Sequence, residues 1–173
     1  MQYVILGLLL LGPQSLYDLH KQFGQGVSLF YSASFGSIQR ALQQLVAQRL
    51  VTVADAPDDR RGRKLHTITA AGRAAWREWM LSPVAGKDVE TTMLSKVFLT
   101  GFLPAEDRAE VVSRLRTRVD AELDGLEAAR QAIDSQSIPA EYAEIFAYQR
   151  ATLDYGIRAH RLATEWLAEL AAR

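Results

Sequence analysis

Between Ser28 and Ala54 the chain carries no carboxylate, and within that stretch Ser34, Ser37, Gln39, Arg40, Gln43 and Gln44 stand at spacings that a helix gathers on one side. An amide offers a donor and an acceptor together, a guanidinium offers paired donors, and a hydroxyl offers either. Such a set can hydrogen-bond base edges and phosphate oxygens without repelling a polyanion. The plainer reading is an ordinary solvated helix surface. Further along, Arg60, Arg61, Arg63 and Lys64 place four cations within five residues, which suits a phosphate or minor-groove contact. Asp55, Asp58 and Asp59 dilute that charge, so the competing reading there is a solubilising loop.

No other constellation suggests chemistry. His20, His66 and His160 are scattered, with no histidine or carboxylate partner at ligand spacing, so no metal site is expected. Ser15, Ser34 and Ser37 lack a nucleophile-elbow pattern, and Gly24-Gln25-Gly26 lacks the third glycine and the strand–helix context of a dinucleotide site. The expectation is therefore a non-enzyme that needs no cofactor. Without cysteine the chain has neither disulfides nor thiolate ligands, and nothing argues for an oxidising compartment, so the expected location is cytoplasmic. Its most apolar run, Tyr3–Leu11, is far shorter than the roughly 20 residues of a membrane span. It reads as a buried first helix stopped by Gly12-Pro13.

The elements that would position the polar set follow from capping and periodicity. Ser15, three residues before Asp18, has near capping-box spacing and opens a short helix with Leu16, Leu19 and Phe23 on one face, broken around Gly24 and Gly26. Ser34 is a natural N-cap for a helix to about Arg49, whose apolar stripe is Ile38, Leu42, Leu45 and Val46. Residues 50–54 and 64–68 read as two short strands around a charged tip, and Thr69 caps a further helix reaching about Met80. Helix, helix, helix, hairpin is the order of a winged helix-turn-helix, with the third helix as reader and the hairpin as wing.

Pro83 and Gly86 mark a boundary. This predicts an N-terminal winged-helix domain over 1–82 and an α-helical dimerisation domain over 83–173, a mainly α architecture with one small hairpin. The charge is split the same way: residues 1–82 hold nine Lys/Arg against five acids, a formal +4, and the remainder hold eleven against fifteen, −4. A basic half joined to an acidic half fits a phosphate-binding module attached to one that does not bind nucleic acid. In the second half, Val89–Leu103 reads as one helix, and Val112, Val119, Leu126 and Ile133 recur every seven residues before Ile138-Pro139. The last stretch, 140–172, repeats the theme with Tyr142, Ile145, Phe146, Leu153, Ile157, Leu167 and Leu170. Two such helices expose too much apolar surface to stand in water, and should pack on each other and on a second copy.

Several of these stretches together carry a family resemblance. Ile5-Leu6-Gly7-Leu8-Leu9 through Gly12-Pro13, Ser15-Leu16-Tyr17-Asp18-Leu19, the run from Ser34 to Leu45, and Lys64–Arg73 resemble the PadR family of transcriptional regulators over residues 3–80. Lys96-Val97-Phe98 and Leu153-Asp154-Tyr155-Gly156-Ile157 are similar to the longer helical C-terminal domain of many members. The resemblance implies a homodimer held by the C-terminal helices, third helices in successive major grooves of an inverted-repeat operator, and repression relieved by a small effector. It implies double-stranded DNA as partner, and a small aromatic effector against Trp76, Trp79 and Trp166, residues that otherwise read as interdomain and dimer core. One departure matters: Gln39 stands where many members carry tyrosine, so that tyrosine's base contacts do not transfer, though glutamine can pair bidentately with adenine. The alternative is a winged-helix protein- or ligand-binding module without specific DNA recognition; a steep fall of duplex affinity with salt separates the two.

Overall fold

A computed structural model describes residues 1–57, 62–86 and 88–172. Its helices are α1 (Gln2–Leu8), α2 (Leu16–Gln25), α3 (Phe35–Ala47), α4 (Ala70–Leu81), α5 (Val89–Leu99), α6 (Ala105–Asp134) and α7 (Ala143–Ala171), and its strands are β1 (Val51–Asp55) and β2 (Lys64–Ile68). Short 3₁₀ turns occupy Leu9–Leu11, Val27–Leu29, Thr100–Phe102 and Ala140–Tyr142. The chain forms two compact units, Met1–Val111 and Val112–Arg173. Among the described residues no helix is long and apolar enough to cross a membrane, and no group of three or more His, Cys, Asp or Glu could hold a metal ion.

Local capping chemistry starts the helices of the first unit. Ser15 accepts from the Asp18 backbone N–H, and the Asp18 carboxylate accepts in return from the Ser15 N–H at 3.0 Å, closing the capping box. Ser34 accepts from Ser37 N–H to begin α3, and Thr69 accepts from Gly72 N–H to begin α4. Helix α3 ends in an αL turn at a residue that seldom takes one: Arg49 has φ 60, with Leu50 N–H reaching back to Leu45 O and Arg49 N–H to Val46 O. That is Schellman geometry, with arginine where glycine is usual.

The core of this unit is the apolar stripes turned inward. Ile5, Leu6 and Leu9 meet Leu19 and Phe23 of α2, Ile38, Leu42 and Leu45 of α3, and Val51, Ile68, Trp76 and Met80, all nearly inaccessible. Fully burying each such aliphatic side chain contributes about 1.5–3 kcal/mol. The strands pair antiparallel with Val51 opposite Ile68 and Asp55 opposite Lys64. A single bridge extends the sheet: Gln14 N–H donates to His66 O at 3.0 Å and His66 N–H donates to Gln14 O at 2.8 Å. The wing root is thereby fixed to the turn before α2. Burial lowers the pKa of His66 below the ordinary histidine value, with a smaller opposing effect from Gln14, so the ring at this junction favours its neutral form.

Compactness divides the chain after Val111, whereas composition breaks near Ser82, where Ser82–Asp88 links α4 to α5. The reason is the packing of α5. Lys96 is 1% exposed, and its ammonium donates to Met80 O and to Ser82 O at the carboxyl end of α4. A buried cation there satisfies carbonyls that the helix leaves free and sits at the negative pole of its dipole. Arg77 of α4 makes a bidentate pair with Asp107 at 2.7 and 2.9 Å, holding the first turn of α6 in the same unit.

In the second unit, α6 and α7 form an antiparallel pair. Asp120 meets Thr164, Glu122 meets His160, Glu127 meets Arg161 and Asp134 meets Arg150 along its length. Gly156 faces Leu126 across the pair, where a Cβ would stand 3.6 Å away, in ordinary contact. Of the apolar stripe expected on the last helix, Ile157 and Leu167 are buried, but Tyr142 and Ile145 are exposed. Tyr142 ends the 3₁₀ turn that precedes α7, and Ile145 lies on the outward face of α7.

Candidate nucleic-acid interface

Helix α3 turns Gln39, Arg40, Gln43 and Gln44 to solvent while Ile38, Leu42 and Leu45 anchor its other side. The exposed arc has two flanks. Gln39 and Gln43, one turn apart, border an open cleft of about 1290 Å³ whose opposite walls are Tyr17 and Asp18 of α2 and Arg63, Lys64 and His66 of the wing root. Ser37, Arg40 and Gln44 border a smaller depression of about 470 Å³ beside Met1, Gln2 and Tyr3. On that flank Gln2 Nε2 donates to Gln44 Oε1 at 2.9 Å, so Gln44 is already partnered.

The two serines are partly committed. Ser34 Oγ accepts the Ser37 N–H, and Ser37 Oγ donates to Ser34 O at 2.7 Å. Ser37 therefore has no free hydroxyl proton for a phosphate while that bond lasts, whereas the Ser34 hydroxyl proton remains available. The wing cations are also paired: Arg63 with Asp18 and Lys64 with Asp55. Exposed pairs of this kind are worth only about 0–1 kcal/mol, so a phosphate can compete for either cation. Arg60 and Arg61 lie outside the described residues.

The three tryptophans are distributed over both units. Trp76 is buried; Trp79 is half-buried and stacks on Tyr3 with ring centroids 5.0 Å apart and planes 4° from parallel. The Lys96 ammonium lies 5.3 Å from the Trp79 ring centre. Trp166 stands half-buried on α7 in the second unit.

Sequence reasoning missed three features. Tyr17 and Asp18 stand in the cleft wall, although Asp18 was legible only as a capping residue. Gln2 meets the recognition helix across 42 residues, for which no local signal exists. The outward face of α7 carries Tyr148, Tyr155 and Leu162 at 73%, 75% and 67% exposure; their seven-residue spacing was the available clue.

Two family models match successive parts of the chain. Residues 5–78 match the transcriptional regulator PadR-like family, and residues 91–173 match the virulence activator alpha C-term family. The stretch between the matches contains the α4–α5 link. The chain is similar to the negative transcriptional regulator PadR of Bacillus subtilis (strain 168), 20% identical over 175 residues that cover 99% of this chain and 96% of that protein. Similar solved structures include Bacillus subtilis PadR in complex with operator DNA, at 20% identity, 99% and 96% coverage of the two chains, and a TM-score of 0.46. The Vibrio cholerae virulence activator AphA is another, at 22% identity, 99% and 95% coverage, and a TM-score of 0.44. The two family matches run in succession along nearly the whole chain, and the protein is a PadR-like transcriptional regulator whose winged-helix half is followed by a virulence-activator α C-terminal domain.

Proposed function

We propose that this regulator is a cytoplasmic homodimeric repressor that reads an inverted-repeat operator through α3, with residues 1–82 contacting DNA and residues 83–173 holding the dimer. The observation that carries the reading is the carboxylate-free exposed arc of α3, with Gln39 and Gln43 opening onto the cleft beneath the wing. Glutamine amides can pair with the N6 and N7 edge of adenine, and Arg40 can pair with guanine or phosphate. Ser34, Ser37 and Gln44 are supporting contacts, and Arg60, Arg61, Arg63 and Lys64 hold backbone phosphates. Catalysis forms no part of this reading.

One named relative bears on the partners. Bacillus subtilis PadR has been solved with operator DNA and with p-coumaric acid. For this chain we infer duplex DNA and a small aromatic effector as the corresponding ligands, the latter against Trp76 and Trp79.

The direct test is a pair of substitutions, Gln39→Ala and Gln43→Ala, assayed on selected operator and on unrelated duplex. Each is expected to weaken operator binding by about 1–3 kcal/mol while leaving non-specific binding nearly unchanged. Equal loss on both duplexes would remove base reading from α3.

A further inference from the structure

Among the described residues, Asp18 is the one carboxylate lining the cleft that Gln39, Gln43, Arg63 and Lys64 border. Its Oδ2 accepts from Ser15 N–H at 3.0 Å and from Ser15 Oγ at 2.7 Å, and it also accepts from Arg63 Nη2. The first two bonds belong to the cap of α2, so the charge is held by the helix start and cannot swing away. The third crosses 45 residues of sequence and ties the root of the wing to α2. Both residues border the same cleft as Gln39 and Gln43, and both side chains remain partly open, 49% for Arg63 and 36% for Asp18. Hydrogen bonding from Ser15, with a smaller contribution from Arg63, keeps the carboxyl below its ordinary pKa, so it is ionised at neutral pH.

We propose that Asp18 is a specificity-setting residue of this interface, a fixed negative charge that discriminates against loosely held duplex while aiming Arg63 for a fully seated one. The inference rests on the DNA-reading function proposed above. Asp18 has two effects on a bound duplex, and they oppose each other. Its charge repels any phosphate within the screening length of about 8 Å, and it neutralises a cation that would otherwise attract one. Non-specific binding is almost wholly phosphate attraction, so it bears this penalty in full. In a seated complex the wing root has one position, and an Arg63 already ordered by Asp18 loses less side-chain freedom on binding than a free one. The second effect offsets the first for the operator alone.

Asp18→Asn tests this, because asparagine keeps an acceptor for Ser15 and loses the charge. The protein is titrated with operator and with unrelated duplex over a range of salt. The expected result is a non-specific affinity higher by roughly fivefold, a salt slope steeper by up to about 0.9, a smaller change on operator, and hence a lower specificity ratio. In an Arg63→Ala background the same change should no longer alter the ratio. Thr69→Ala, which weakens the α4 cap without touching Asp18, separates a folding effect from an electrostatic one: melting should fall while the ratio holds. An unchanged slope in Asp18→Asn, or an equal gain on both duplexes, would overturn the proposal. A wild-type protein with no salt-dependent duplex binding would instead defeat the DNA-reading function on which it rests.

Discussion

Replacing Tyr148 and Tyr155 together with lysine is expected to give a folded monomer whose operator affinity falls by about 10²–10⁴. The two tyrosines lie seven residues apart on α7 and are among its most exposed apolar side chains, with Ile145 at 58% and Leu162 at 67% completing the row. A row spaced three, seven and seven is a coiled-coil seam facing away from α6. Apolar surface of that continuity marks an association site on a two-helix unit. Because these side chains contact solvent in the single chain, lysine there disturbs no monomer core. The cost falls on association, and with it goes the gain that two linked half-site contacts have over one. Sedimentation and operator binding would be measured together. A variant that still sediments as a dimer would show that the seam is not the interface.

Gly72→Ala is expected to have the largest effect on the winged-helix unit itself, about 3 kcal/mol of lost stability. An added Cβ would stand 2.2 Å from Leu50 O and 2.8 Å from Ile68 Cγ1. The first of these is backbone that cannot yield, since the same carbonyl already accepts from Thr69 N–H at 3.0 Å and Thr69 Oγ1 at 3.1 Å. Relief requires α4 to lift off the turn between α3 and β1, and that disrupts the Thr69 cap and the seat of the wing. For a chain of this length the melting point should fall by roughly 6–12 °C. Melting within about 2 °C of wild type would mean that the turn is softer than its hydrogen bonds imply.

What was legible in the sequence was what short-range chemistry decides. Ser15, Ser34 and Thr69 each start a helix because a side-chain oxygen satisfies a backbone N–H three residues on. The hairpin strands and the inward stripe of α3 follow from periodicity in the same way. Elements governed by competition were less legible. Gly24 was read as part of a break, yet α2 runs through it to Gln25, and a 3₁₀ turn at Val27–Leu29 follows instead. The first helix tightens into 3₁₀ at Leu9 although its apolar run continues to Leu11, which is 64% exposed. Arg49 closes α3 in a conformation that sequence rules reserve mainly for glycine or asparagine, because the Leu50 carbonyl must meet Thr69.

Long-range pairing was not legible at all. Counting charges revealed a basic wing, but not that Asp18 holds Arg63 or that Lys64 faces Asp55 across the hairpin. On α7 the apolar residues serve two faces. One toward α6 and one outward are both apolar, and because periods of 3.6 and 3.5 residues diverge only slowly along a helix, the sequence pattern does not separate them.

Sequence-specific reading by a two-fold dimer can be measured by incubating the protein with a pool of random duplexes and sequencing what it retains at about 0.15 M salt. Such a dimer should enrich an inverted repeat whose half-sites are centred roughly 34–36 Å apart, or a multiple of that distance. Recovery of an unenriched pool, with binding that does not weaken as salt rises, would contradict it.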